Sequence, residues 1–336
     1  MKAFTNQNAR TLDEAVSLAQ QAIQAGQSVS FAAGGTDLLQ LMKDRVVNRP
    51  GSGEPDVLVN LTTVAGLDQV TAGRGDGTVV GGMITLSALS RHPHIRDQYT
   101  VLAEAADTVA TPQIRNTGTL AGNVVQRPWC WYYRNGFPCY KAGGNQCFSI
   151  AGENQLHAIF GGGPSYIAHP SDLAPALVAL DASFRVVGPE GERTLSGSDF
   201  FVLPPEDAEH ENVLADDEVL ASVTLPAPRD GMRSAYHKIM DREAWTHALA
   251  SAAVVLEMDG DRCLEASIVL GGVAPVPWRV PEAENMLAGQ RVTPELAREV
   301  GAAAVAGARP LSKNAYKVPL TRGVVERTVL ALATSA

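Results

Sequence analysis

Ala32-Ala33-Gly34-Gly35-Thr36-Asp37-Leu38-Leu39 and, about eighty residues later, Gln113-Ile114-Arg115-Asn116-Thr117-Gly118-Thr119-Leu120-Ala121-Gly122-Asn123 decide the reading of this chain. Each stretch combines bare backbone N–H groups with a threonine hydroxyl, a combination that can wrap a phosphate. Glycine has no Cβ, so the backbone there can take positive φ and come close to a ligand. Two such loops in one domain point to a ligand with two phosphates, gripped from both sides. Neither loop is the usual dinucleotide fingerprint, which needs G-x-G-x-x-G between a strand and a helix, and there is no Walker lysine. Taken singly, each loop reads equally well as a tight turn.

Outward from the first loop, residues 11–24 carry Leu12, Ala15, Val16, Leu18, Ala19, Ala22 and Ile23 at helical spacing. Residues 28–33 read as a strand entering the loop. Residues 37–46 read as a helix leaving it, with Thr36 or Asp37 as N-cap. Residues 56–61 read as a strand, so the beginning of the chain predicts β-α-β with the loop at the carboxyl end of a strand. Ligands of α/β sheets favour that end. Further on, the pattern predicts a strand over 78–84, helices from 86 and over 101–110, a short helix over 172–180 and a strand over 183–187. Pro226-Ala227-Pro228-Arg229-Asp230-Gly231 interrupts it and sets a boundary between domains 1–225 and 230–336. Strands over 250–258 and 266–271 and helices over 281–288, 294–306 and 320–333 predict an α+β second domain.

The chain has 336 residues, 45% of them hydrophobic, enough for a large core in two or three domains. A net charge of −9 argues against non-specific nucleic-acid or anionic-membrane binding. No apolar run approaches the roughly 18–20 residues of a membrane span. Met1-Lys2-Ala3-Phe4-Thr5-Asn6 offers no signal-peptide core, so a cytoplasmic protein is expected, or one carried to the periplasm by a partner.

Three of the four cysteines, Cys130, Cys139 and Cys147, fall in a polar, aromatic insertion over residues 127–163 with little periodicity. Cys263 lies far away and reads as a structural thiol. Long irregular insertions in compact domains usually carry a function. In a cytosolic chain clustered cysteines bind metal more often than they form disulfides. Zinc and 4Fe-4S sites usually take four ligands, and the insertion supplies three.

The loops resemble those of the flavin-carrying medium subunit of the molybdenum hydroxylases, the xanthine dehydrogenase, carbon monoxide dehydrogenase and aldehyde oxidoreductase family. The matching motifs are A-G-G-T-D-L at residues 33–38, Q-I-R-N-x-G-T-x-x-G-N at 113–123 and P-S-D-L-A at 170–174. Gly271-Gly272-Val273-Ala274-Pro275-Val276-Pro277 resembles a stretch of the family's C-terminal domain. Ala121 stands where many relatives have glycine. The resemblance implies an α+β fold with a two-subdomain FAD-binding domain of the vanillyl-alcohol-oxidase type, followed by a smaller flavoprotein domain. It implies FAD contacts from Ala33, Gly34, Gly35, Thr36, Asp37 and Leu38, from Arg115, Asn116, Gly118, Thr119, Gly122 and Asn123, and from Asp172. Arg115 reads equally as a structural partner of a carboxylate, and Asp172 as an N-terminal helix residue. His169 is expected near the flavin or capping a helix, and Trp245 and His247 near the isoalloxazine or in the domain interface. Lys43 and Arg45 are expected on a solvated helix face.

The resemblance further implies a molybdopterin-binding large subunit and a 2Fe-2S small subunit as partners. Some relatives hold an extra 4Fe-4S cluster in this insertion. Here Cys130, Cys139 and Cys147 would be ligands, and Ser165 stands at the fourth position. His157 or Cys263 are the alternatives for it. The function so implied is electron transfer from iron–sulfur clusters through FAD to an external acceptor. A self-sufficient FAD oxidase and a cofactor-free scaffold are the competing readings.

Overall fold

The computed structural model describes residues 1–46, 54–73, 75, 77–244 and 246–334. Trp245 lies outside the described residues. The predicted β-α-β start is present: α1 (Leu12–Gln24) joins β1 (Thr5–Asn8) to β2 (Val29–Ala32), and α2 (Leu38–Asp44) precedes β3 (Val57–Asn60). Thr11 caps α1 by accepting the Glu14 N–H at 3.1 Å. The three strands form a parallel sheet in the order β1-β3-β2. The first glycine loop leaves the carboxyl end of β2, as expected. β1 carries the polar run Thr-Asn-Gln-Asn, which hides it from a hydrophobic pattern.

A second sheet follows. β4 (Val70–Ala72) and β5 (Thr78–Gly81) lead into the short helices α3 (Leu86–Arg91), α4 (Pro93–Gln98), α5 (Thr100–Asp107), α6 (Pro112–Arg115), α7 (Leu120–Val124), α8 (Trp131–Arg134) and α9 (Leu173–Ala179). The chain then returns through β6 (Ser183–Gly188), β7 (Gly191–Leu195), α10 (Gly197–Phe200) and β8 (Val219–Leu225). The antiparallel order is β4-β5-β8-β6-β7. β8 sits at the centre and is buried along almost its whole length, so it shows no alternation to read.

The third sheet holds β9 (Met232–Ile239), β10 (Ala250–Asp259), β11 (Arg262–Gly271) and β12 (Trp278–Arg279) in the order β12-β11-β10-β9. α11 (Pro281–Leu287), β13 (Gln290–Arg291), α12 (Pro294–Ala304) and α13 (Lys317–Thr334) complete the chain, with β13 paired to β11. Successive residues of a strand face opposite sides, and β10 shows the consequence. Ala252, Val254 and Leu256 enter a core shared with α11, α12 and α13. Ala253 and Val255 enter the large core that also contains α5, α9 and β5. The C-terminal sheet is therefore buried on both faces. Among the described residues no helix is long and apolar enough to cross a membrane.

Candidate flavin site

The two glycine loops meet. A Cβ on Gly34 would lie 1.9 Å from the Thr117 carbonyl oxygen, so the loops touch backbone to backbone and only glycine fits there. Gly35 takes φ +70°, a region that residues other than glycine rarely adopt. The second loop is stitched to the segment after β5. Leu86 N–H donates to the Gly118 carbonyl at 2.9 Å and Ala121 N–H to that of Gly82 at 2.9 Å. Thr119 caps α7 by accepting the Gly122 N–H at 3.2 Å. Asn123 Oδ1 accepts the Ser171 hydroxyl at 2.6 Å, which joins the second loop to the P-S-D-L-A segment.

The loops form part of the wall of a cavity of about 570 Å³. Ala33, Gly34, Gly35, Thr36, Asp37, Leu38, Gly118, Thr119, Gly122, Asn123 and Asp172 all line it. Arg115 and Asn116 are not in that wall. The Arg115 guanidinium donates to the Val109 carbonyl at 2.8 Å and lies 3.7 Å from Asp107. The segment from His210 to Leu220, together with Thr246 and His247, supplies walls that the motifs did not reveal. Apolar residues such as Phe31, Leu61, Met83, Ile114 and Leu220 complete it.

Carboxylates in the wall would repel a phosphate unless neutralised. Asp37 pairs with Arg134 at 2.8 Å and also accepts the Arg127 N–H. Asp37 is the N-cap of α2, yet it makes no side-chain capping bond because its carboxylate turns to the insertion. Asp172 is held by Lys238 at 2.7 Å and by the Tyr236 hydroxyl at 2.7 Å, both from β9. Burial, reinforced by that carboxylate, pushes the Tyr236 phenol well above its ordinary range. Glu218 pairs with Arg193 at 2.8 Å. A cavity of this volume, with a glycine cradle a Cβ would fill and with paired acids, suits FAD.

The cysteine insertion packs beside this wall and is held by buried charge. Glu211 takes Arg127 at 2.6 Å and Lys141 at 2.8 Å, all three buried. Arg127 also donates to the Tyr133 hydroxyl and to the Lys141 carbonyl. Burial alone would raise Glu211, but the two cations hold it below the usual carboxylate range. Burial lowers Lys141, against the pull of Glu211. This network fixes an irregular segment whose regular structure is limited to single turns at residues 131–134 and 140–142.

Cys139 is buried in a small apolar cluster against which Cys130 packs. Cys130, pushed up to about 11 by burial, is also raised by Cys139 and Cys147, so the three are electrostatic neighbours. Cys130 Sγ lies 3.3 Å from His157 Nε2 and Cys147 Sγ 3.1 Å from Ser149 Oγ. Among the described residues no three His, Cys, Asp or Glu side chains form a single-ion site. Cys263, on β11 in the C-terminal core, bonds the Glu265 carbonyl. The Gly271–Pro277 stretch anchors the end of the insertion, since Ile159 and Phe160 donate to the Val273 carbonyl and His169 to that of Ala274.

Residues 2–228 match a family profile described as the FAD binding domain in molybdopterin dehydrogenase, and residues 235–332 match the CO dehydrogenase flavoprotein C-terminal domain. The aldehyde oxidoreductase FAD-binding subunit PaoB of Escherichia coli K12 is 34% identical, with 96% of each chain covered. The carbon monoxide dehydrogenase medium chain of Hydrogenophaga pseudoflava is 27% identical, over 95% of this chain and 93% of that one. A solved carbon monoxide dehydrogenase of that organism, lacking the Mo-pyranopterin moiety of its cofactor, superimposes with a TM-score of 0.75 at 26% identity, covering 98% of this chain and 97% of that chain. The protein belongs to the FAD-binding medium subunits of the molybdenum hydroxylases.

Proposed function

We propose that the chain holds FAD in the cavity between its two glycine loops and relays electrons from iron–sulfur clusters of a small subunit to an external acceptor. Substrate oxidation is then the work of a separate molybdopterin-binding subunit. The observation that carries this reading is the backbone contact of Gly34 with Thr117, which builds one cradle from two distant loops. FAD, when bound, supplies a centre that exchanges electrons one or two at a time. The chain's part is to grip the pyrophosphate and ribityl chain with Gly34, Gly35, Thr36, Gly118, Thr119 and Asn123. A FAD-binding domain over 1–225 and a flavoprotein domain over 230–336 would enclose it, with the Lys238–Asp172 pair as a tie between them.

The purified chain is expected to be yellow, with flavin released by acid, and unable to oxidise aldehydes or purines without its partners. A covalently held flavin, or turnover by the pure chain, would favour the oxidase reading instead. A colourless chain would favour the scaffold.

A second reading concerns the insertion. Cys130, Cys139 and Cys147 would ligate a 4Fe-4S cluster. Three thiols in one short, irregular, aromatic segment are poorly explained by core packing and suit a multinuclear group. His157, beside Cys130, and the buried Ser165 are the side chains left for the fourth position. Iron and sulfide analysis of anaerobically purified protein tests this. Four of each per chain, lost in Cys139→Ser, is the expected result, and zinc or free thiols without iron would refute it.

A further inference from the structure

Lys317 is fully buried, and its ammonium is bonded by carbonyls alone. It donates to the Leu156 carbonyl at 3.0 Å and to that of Gly272 at 2.7 Å. Lysine is almost never fully buried unless it is paired. The buried side chains of Lys141 and Lys238 follow that rule, with Glu211 at 2.8 Å and Asp172 at 2.7 Å. Lys317 departs from it. Among the described residues no carboxylate pulls its ammonium up, and burial pushes it down to about 7. It is also the first residue of α13, where the helix dipole disfavours a cation. Two carbonyls bond the ammonium but do not neutralise it, so the chain leaves one buried charge uncompensated.

That charge faces the cysteine insertion. Leu156 precedes His157, whose Nε2 lies 3.3 Å from Cys130 Sγ. Burial first, and then the Lys317 charge, bring the His157 ring down to about 4, which places the ammonium near the thiol site. Holding this stretch in place does not require a charge at 317. Asn314 donates to the His157 and Ala158 carbonyls at 3.0 and 3.1 Å, and the Tyr316 hydroxyl donates to the Gln155 carbonyl at 2.9 Å. The buried Asn154 accepts the Lys313 N–H at 2.9 Å, and Arg309 N–H donates to the Ile159 carbonyl at 2.6 Å. Residues 309–316 thus clasp residues 154–159 with uncharged donors, and the buried ammonium is left without a structural reason.

We propose that Lys317 is the counter-charge of an anionic iron–sulfur cluster held by Cys130, Cys139 and Cys147. The assignment rests on the cluster reading above. A 4Fe-4S core bound by three thiolates is an anion, and it becomes more negative on reduction. A cation beside it stabilises the reduced form and raises its potential, since charge and solvent exposure around a cluster set that potential. Lys317 touches neither thiol nor flavin in this role. It acts through space, from a helix that is otherwise part of the C-terminal core.

The test is an EPR-monitored redox titration of the anaerobically purified full chain, with urea unfolding read alongside. Lys317→Met and Lys317→Gln should keep their iron and make reduction of the cluster about tenfold less favourable, a shift of about 59 mV for a one-electron couple. Lys317→Arg, which keeps the charge, should stay within about threefold. Stability then separates charge from structure. In the iron-free Cys139→Ser chain both neutral variants should raise the urea midpoint, because each removes a buried charge without a partner. A lysine that merely ties two carbonyls would lower it. Lys317→Gln keeps N–H donors for those carbonyls and carries both measurements if Lys317→Met does not fold with its cluster. An unmoved potential in the neutral variants, or a lower midpoint for them in the iron-free chain, overturns the proposal alone. A parent chain without iron overturns the cluster reading and the role of Lys317 together.

Discussion

Gly34 has no room for a side chain, because the Thr117 carbonyl occupies the place a Cβ would take. Its obstacle is backbone, which cannot rotate aside. Gly34→Ala should therefore separate the loops, at a cost near the upper end of the about 1–3 kcal/mol typical of overpacking. Flavin per chain should fall sharply, as absorbance of the purified variant would show. Gly35→Val should also lose flavin, since φ +70° is strained for a branched residue. Glu211 stands in the opposite situation, with two buried cations on one carboxylate. Glu211→Gln leaves both without their counter-charge and should cost about 3–5 kcal/mol in urea unfolding. His169 adds a pH dependence. Its folded value of about 4 lies below the ordinary 6.5, so the unfolded chain binds a proton that the folded chain refuses. Stability should fall as pH drops from about 6.5 towards 4, by about 2 kcal/mol at pH 5 from this residue. His169→Asn should shrink the difference in urea midpoint between pH 7.5 and pH 5. An unchanged difference would remove the histidine from the account.

At the scale of elements, β10 is the strand whose loss would be felt on both sides. Leu256 packs against the C-terminal helices, and Val255 against the core around α5 and α9. Leu256→Ala should cost about 2–5 kcal/mol by thermal or urea unfolding. Elements of this kind were legible in the sequence. The helical spacing of residues 11–24, the β-α-β start and the apolar run of β10 each follow from local pattern. β9 was not legible. Its Tyr236 and Lys238 look like ordinary polar positions, yet both reach Asp172, more than sixty residues away, in the buried interior. The site divides in the same way. Glycine loops announce themselves because their conformation is local. The wall from His210 to Leu220 has no such mark, and Glu211 acquires its role only when Arg127 and Lys141 are brought to it. Asp37, expected at the cofactor, lines the cavity and also anchors the cysteine insertion through Arg134 and the Arg127 N–H.

Over the whole molecule, one core runs from the parallel sheet through α5 and α9 onto the inner face of the C-terminal sheet. Tyr236, Ala253, Val255 and Val269 belong to it. Residues 230–336 expressed alone would present that face to water. The fragment should aggregate or self-associate, and gel filtration combined with circular dichroism would show it. A folded, soluble monomer of the fragment would mean that the shared core contributes little.

The cavity wall draws on residues from Val29 to His247. On a ribosome adding about 5–20 residues per second, roughly ten to forty seconds separate the synthesis of its first contributor from that of its last. The early loop waits roughly four to seventeen seconds for its counterpart about eighty residues on, and the full interval for the last of the cavity wall. Cofactor loading is thus a late event in the life of the nascent chain. A ribosome stalled before residue 247 should display a chain that captures no flavin, however abundant the cofactor.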